Sequence, residues 1–116
     1  MIKNESSCTW RTWLFAKDFA RIAAEMINCL SADYGFSDAI NISQNFGLSI
    51  RELVELIVQE AKYKGEIVWN RNMQDGAPKK VMDDKRFGKL FPNFKFTNIK
   101  DGILETIKYY QSRYPY

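Results

Sequence analysis

A small mixed α/β fold with three main helices and short strands is what this 116-residue sequence predicts. Three observations carry that reading. Apolar residues recur at three- and four-residue spacing in three separate stretches, the mark of helices with one buried face. Short runs rich in β-branched and aromatic residues lie between them, bounded by Gly, Asn and Pro, and read as strands. Ser49 and Glu52 form a Ser-x-x-Glu capping box directly ahead of an apolar run, the clearest helix start in the chain.

In order, residues 1–9 are polar and aperiodic and read as a loose lead-in to one domain over residues 10–116. Residues 10–16 hold Trp10, Trp13, Leu14 and Phe15 and predict a short buried strand. Asp18 is placed to cap a helix whose apolar face is Phe19, Ile22, Ala23, Met26, Ile27 and Leu30, ending near Ser31. Residues 39–43 predict the next strand, followed by the helix that Ser49 caps, with Leu48 and Leu53 spaced as a hydrophobic staple. Gly65 ends this unit and residues 66–69 predict a returning strand, so that strand, helix and strand form a parallel crossover. Residues 70–78 are a loop with Asp75-Gly76 and Pro78, residues 79–82 a further short strand, and residues 84–90 one or two helical turns. Asn98 and Asp101 open a last helix with Ile99, Ile103, Ile107 and Tyr110 on one face. Gly102 inside that helix costs about 1 kcal/mol relative to alanine, which implies close packing there.

Composition narrows the function classes. A hydrophobic share of 46% and an aromatic share of 15% fit a packed chain rather than a disordered one. The net charge is +3, from 17 basic and 14 acidic residues spread along the whole length, which favours a small anion bound locally over long nucleic acid. Cys8 and Cys29 make no disulfide framework, and the absence of histidine removes the commonest metal ligand. No apolar run reaches the roughly 20 residues that span a bilayer, and the first residues lack the apolar stretch of a signal peptide. A cytoplasmic setting is the expectation.

The segment with most chemical promise is Asp75-Gly-Ala-Pro-Lys79-Lys80, two adjacent lysines after a turn stiffened by Pro78. A lysine acts as a point charge toward phosphate, although a plain solvated loop fits the same residues. Arg11, between Trp10 and Trp13, is either a strand-end arginine paired with a carboxylate or a guanidinium held by aromatics to grip a diphosphate. Asp83 and Asp84 fit helix capping better than acid–base work, because neighbouring strand residues point to opposite faces. Phe87, Phe91, Phe94 and Phe96, with Tyr109, Tyr110, Tyr114 and Tyr116, read as core or docking surface rather than base-stacking platforms. No Gly-x-x-Gly-x-x-Gly or Gly-x-Gly-x-x-Gly turn and no Tyr-x-x-x-Lys pair occurs, so neither a dinucleotide fingerprint nor a short-chain dehydrogenase signature is present.

Six segments, in order, resemble the carboxyl-terminal, substrate-binding part of the GDP-L-fucose synthases, extended short-chain dehydrogenase/reductases acting on nucleotide sugars. Arg11-Thr-Trp-Leu-Phe-Ala-Lys-Asp18-Phe-Ala is similar to the family's Arg-x-Phe-x-Tyr-x-x-Asp-Leu-Ala. Leu48-Ser-Ile-Arg-Glu-Leu53 resembles its Ser-Ile-(Lys/Arg)-Glu helix start, and Lys64-Gly-Glu-Ile-Val-Trp69 its Gly-x-Val-x-Phe strand. Asp75-Gly-Ala-Pro-Lys-Lys80 resembles the Asp-Gly-x-x-(Arg/Lys)-Lys loop, Phe91-Pro-Asn-Phe-Lys-Phe-Thr97 the Leu-Pro-Asp-Phe-Arg-Phe-Thr stretch of animal-type members. Glu105-Thr106 and Tyr109-Tyr110 continue the likeness.

The resemblance implies the mixed small domain of nucleotide-sugar epimerases and reductases, without the Rossmann domain. It implies substrate binding through Arg11 and Lys80, and less through Lys79 and Asp75. Complete enzymes of the family use NADPH to epimerise and reduce GDP-4-keto-6-deoxy-mannose. Their glycine-rich loop and catalytic residues precede the portion that this sequence matches, so the expectation is a fragment without cofactor or catalysis of its own that binds a GDP-sugar weakly. The alternative from another class is a protein-interaction module that dimerises or complements a separately encoded cofactor domain, its discriminating feature being a 10–16 strand satisfied only by another chain. A truncated gene product without function is the third reading.

Overall fold

Strand β1, Trp10–Arg11, is the middle strand of a three-stranded sheet in the computed structural model, which describes residues 9–29, 39–70, 72 and 76–115. Strand β2, Leu48–Ser49, runs antiparallel to it with Trp10 opposite Ser49, and β3, Lys79–Lys80, runs parallel with Trp10 opposite Lys79 and Arg11 opposite Lys80. Each strand has two residues, so bonds at their ends matter. The Trp10 N–H donates to the Pro78 carbonyl at 2.9 Å and the Thr12 N–H to Lys80 at 3.2 Å. On the other edge the Ile50 N–H donates to the carbonyl of buried Thr9 at 3.1 Å.

Helix α1, Ala16–Cys29, buries Ile22 completely and carries Asp18 in its first turn. Helix α2, Ile50–Ala61, starts at the capping box that the sequence predicts: Glu52 N–H donates to Ser49 Oγ, and Ser49 N–H donates to the Glu52 carboxylate at 2.8 Å. It ends at Lys62, in the left-handed region at φ 53°, whose N–H returns to the last carbonyls of the helix. Helix α3, Lys85–Leu90, is short and buries Phe87. Helix α4, Ile99–Arg113, is capped by Asn98 Oδ1, which accepts from the Lys100 N–H at 2.9 Å, and packs on α2. Gly102 is buried against Phe15, whose ring lies 3.3 Å from where a Cβ would stand, the close packing expected of a glycine in mid-helix.

Phe87 is the hub of an aromatic cluster, its ring centroid 5.4 Å from Phe91, 5.9 Å from Phe94 and 5.5 Å from Phe96. These rings pack on one another as core. Among the described residues the buried hydrophobic core is otherwise thin, comprising Ile22 and Phe87, while Ile27, Phe46, Val68 and Tyr114 are more than half exposed. The radius of gyration is 17.5 Å, against about 13 Å for a compact chain of this length.

The structure departs from the sequence-based elements in four places. The predicted strand over residues 10–16 shrinks to Trp10–Arg11, because α1 already opens at Ala16. Asp18 is therefore inside the helix, not its cap. Among the described residues, 39–43 and 66–69 join no ladder, so the parallel crossover does not form there and the parallel partner of β1 is β3. The physical reason is the lack of a neighbour: Val68 is 80% exposed, and β-propensity expresses packing against cross-strand neighbours more than backbone preference. Leu48–Ser49, read only as a helix approach, is a strand. The lead-in residues 1–8, Cys8 among them, and Asp75 lie outside the described residues, as does the predicted end of the first helix beyond Cys29.

Candidate functional site: a paired arginine and lysine on one sheet face

Strand register decides which cations can act together. Residues opposite each other in a sheet share a face, and successive residues alternate. Arg11 opposite Lys80 therefore puts these two side chains on one face, whereas Lys79 shares the other face with Trp10. Lys79 and Lys80 are both exposed and Arg11 is half-buried. Of the residues the sequence selects, the structure brings Arg11 and Lys80 together and turns Lys79 away.

The guanidinium of Arg11 is held in place. Its Nη1 donates to the Trp10 carbonyl at 2.7 Å and to the Ala77 carbonyl at 2.9 Å, tying β1 to the loop that leads into β3. Nη2 faces Gly76, 3.2 Å from the position a Cβ would take there, and among the described residues it has no hydrogen-bond partner. Among the described residues, one side of the guanidinium is occupied and one is open.

Asp83 caps the start of α3, whereas the Asp84 side chain makes no cap bond and ties a distant turn instead. Asp83 Oδ1 accepts from the Lys85 N–H at 2.8 Å, and Asp84 Oδ2 accepts from the Asn45 N–H at 3.2 Å, pinning the turn before β2 to the start of α3. They are not paired for proton transfer.

Sequence reasoning selected Asp18 only as a helix cap and missed its tertiary bonds. The Asp18 carboxylate, 1% exposed, accepts from the Thr97 N–H at 2.8 Å, from Thr97 Oγ1 at 2.7 Å and from Arg21 Nη2 at 2.7 Å. Burial opposes its ionisation, yet the hydrogen bonds from Arg21 and Thr97 outweigh that and hold its carboxyl below the usual value of 3.8. Arg21 also donates to the Lys95 carbonyl at 2.9 Å and lies 4.6 Å from the Phe94 ring centre. The spacing of Asp18 and Arg21, three apart on a helix, signals an ion pair. Nothing local signals Thr97.

A cavity of about 640 Å³ lies between α2 and α4, walled by Trp13, Phe15, Phe46, Leu53, Ile57 and Ile103. A smaller one, about 280 Å³, lies between α2 and Trp69, with the Arg51 guanidinium 5.2 Å from the indole centre. Among the described residues no group of three or more His, Cys, Asp or Glu is placed to hold a metal, and no helix is long and apolar enough to cross a membrane. The sequence has no glycine-rich dinucleotide turn, and the β1–α1 joint is Thr12-Trp-Leu-Phe15, with bulky side chains where the Rossmann fingerprint has glycines.

No protein-family model matches the chain. Among characterised sequences it is similar to Probable GDP-L-fucose synthase 1 of Oryza sativa subsp. japonica, 27% identical over 103 residues, covering 87% of this chain and 31% of the rice protein. It is also similar to GDP-L-fucose synthase 1 of Arabidopsis thaliana, 27% identical over 108 residues, covering 91% of this chain and 33% of that one. Its fold matches a GDP-L-fucose synthetase of Naegleria fowleri solved with bound NADP, at a TM-score of 0.80 and 24% identity over 94% of this chain and 33% of the other. The chain thus spans about a third of the length of these proteins, a coverage consistent with a carboxyl-terminal portion. In sequence the chain is similar to a part of the GDP-L-fucose synthases, and in fold to the corresponding part of a solved GDP-L-fucose synthetase.

Proposed function

We propose that this chain is a substrate-binding domain of GDP-L-fucose-synthase type, not catalytic on its own, that binds a GDP-sugar weakly through Arg11 and Lys80. The observation that carries this is their register: opposite one another in parallel strands, they offer two cations on one face of the sheet. Lys79, on the other face, is left to solvent, and Asp75 is assigned no contact. NADP belongs in this reading to the cofactor domain of a complete enzyme, and a cytoplasmic setting fits the nucleotide-sugar substrate. The test is a titration with GDP-fucose or GDP to millimolar concentration, read by amide shifts. Shifts centred on Arg11 and Lys80 support the site; none near either residue overturns it.

A second reading, a module that pairs with a second copy or with a separate cofactor-domain chain, is favoured by the thin core and by the exposure of Phe19, Ile27, Phe46 and Val68. Light scattering with and without GDP-fucose separates the two. A monomer stabilised by ligand supports nucleotide-sugar binding. A dimer indifferent to ligand supports the module.

A further inference from the structure

Arg11 makes more contacts than an anion ligand needs, and their arrangement is asymmetric. Both of its hydrogen bonds leave from Nη1 and end on backbone carbonyls 66 residues apart in one case and adjacent in the other. Nη2 is left facing a residue with no side chain. Resting on the nucleotide-sugar site proposed above, we infer that Arg11 is a brace as well as a ligand: Nη1 fastens the loop of residues 76–78 to β1, Nη2 is the edge offered to a phosphate, and Gly76 is the positioning residue that keeps this edge open.

The brace matters because so little else holds the loop. Strand β3 has two residues, both exposed, and joins β1 through the Trp10 to Pro78 and Thr12 to Lys80 bonds. Hydrogen bonds from a charged donor are about twice as strong as neutral ones, so the guanidinium bond to Ala77 is a principal tie of the loop that delivers Lys80. The same tie removes rotamer freedom from Arg11 before any ligand arrives, which lowers the entropy lost on binding. A methyl group on residue 76 would stand 3.2 Å from Nη2, in the space an anion oxygen must enter. Because Nη1 is fastened to two carbonyls, the guanidinium is not free to swing aside. Lysine could reproduce only one of the two tasks: its single ammonium can reach the carbonyls but has no second amino group to present.

The experiment measures amide hydrogen exchange at Trp10 and Thr12, together with affinity for GDP and for inorganic pyrophosphate, in the native chain, Arg11→Met, Arg11→Lys and Gly76→Ala. Arg11→Met should speed exchange at Trp10 by roughly tenfold or more and abolish binding. Arg11→Lys should keep exchange near native while weakening both ligands by roughly tenfold. Gly76→Ala should leave exchange native and weaken both ligands by roughly fivefold or more. Native exchange at Trp10 in Arg11→Met overturns the brace. Native affinity in Gly76→Ala overturns the open edge. Failure of the native chain to bind GDP or pyrophosphate overturns the proposed function and the open edge together, and the exchange data decide the brace in either case. Should Arg11→Met not fold, Arg11→Gln, which keeps a donor but loses the charge, carries the exchange test.

Discussion

Asp18 and Thr97, 79 residues apart, are joined by two hydrogen bonds: the Thr97 N–H and its Oγ1–H both donate to the buried Asp18 carboxylate, at 2.8 and 2.7 Å. This pair fastens the Phe94–Phe96 aromatic segment to the first turn of α1. Arg21 completes the arrangement by bonding Asp18 and the Lys95 carbonyl from the same nitrogen. A carboxylate with this many donors cannot be neutralised cheaply. Asp18→Asn would keep one acceptor, lose the charge, and turn an amide toward donors, at an expected cost of about 2–3 kcal/mol. Half of Arg21 is solvent-exposed, so its ion pair contributes at the low end. Urea denaturation of the two proteins gives the difference directly.

The same carboxylate sets a pH dependence. Its folded pKa lies below the usual value, so the stabilisation is complete above the unfolded pKa and disappears as pH falls through the folded one. The expected outcome is that native chain and Asp18→Asn differ by a constant amount near neutral pH and converge as pH drops below about 4. Denaturant midpoints between pH 7 and pH 2.5 check this. A difference that stays constant to the acid end would show that the stabilisation is packing, not charge.

Ser49 serves β2 and α2 at once, pairing with Trp10 in the sheet while its Oγ and N–H close the capping box with Glu52. Ser49→Ala should cost about 1 kcal/mol, the ordinary loss for an N-cap. Ser49→Asp should recover most of it if the cap is the whole effect. Thermal melts of the three proteins decide.

At Gly47 the turn before β2 passes close to β1. A Cβ there would lie 2.7 Å from Val81 Cγ2 and 3.2 Å from the Arg11 carbonyl oxygen. Gly47→Ala is expected to cost about 1–3 kcal/mol through overpacking. Combining it with Val81→Ala relieves the closer contact but not the one to backbone, so the pair should recover only part of the loss. A double-mutant cycle by chemical denaturation measures that coupling.

Much of this chain was legible without coordinates. Helix starts announce themselves through short-range chemistry: the Ser49–Glu52 box and the Asn98 cap each depend on residues within one turn, and the apolar spacing of α1, α2 and α4 identifies their buried sides. The order of six motifs made the kinship with GDP-L-fucose synthases readable, because motif order is a property of sequence. Arg11 and Lys80 were candidates from their residue types and setting, and that likeness strengthened both. That likeness ranked Lys80 above Lys79; what the structure adds is their register against β1, with Lys80 and not Lys79 opposite Arg11, which adjacent residues cannot reveal by themselves.

The remainder was decided by tertiary structure. Residues 39–43 and 66–69 have the composition of strands yet pair with no strand among the described residues, since a strand exists only through a neighbour's hydrogen bonds. The attachment of Asp18 to Thr97 and of Arg11 to Ala77 spans 79 and 66 residues, and no local pattern encodes a contact of that range. By itself, the sequence determined the main helices, the Ser49 and Asn98 caps and the likeness to GDP-L-fucose synthases, because those rest on interactions within a turn or on motif order. The tertiary structure alone decided which strands pair, which cations share a face and which carboxylate is buried, because each depends on where distant segments meet.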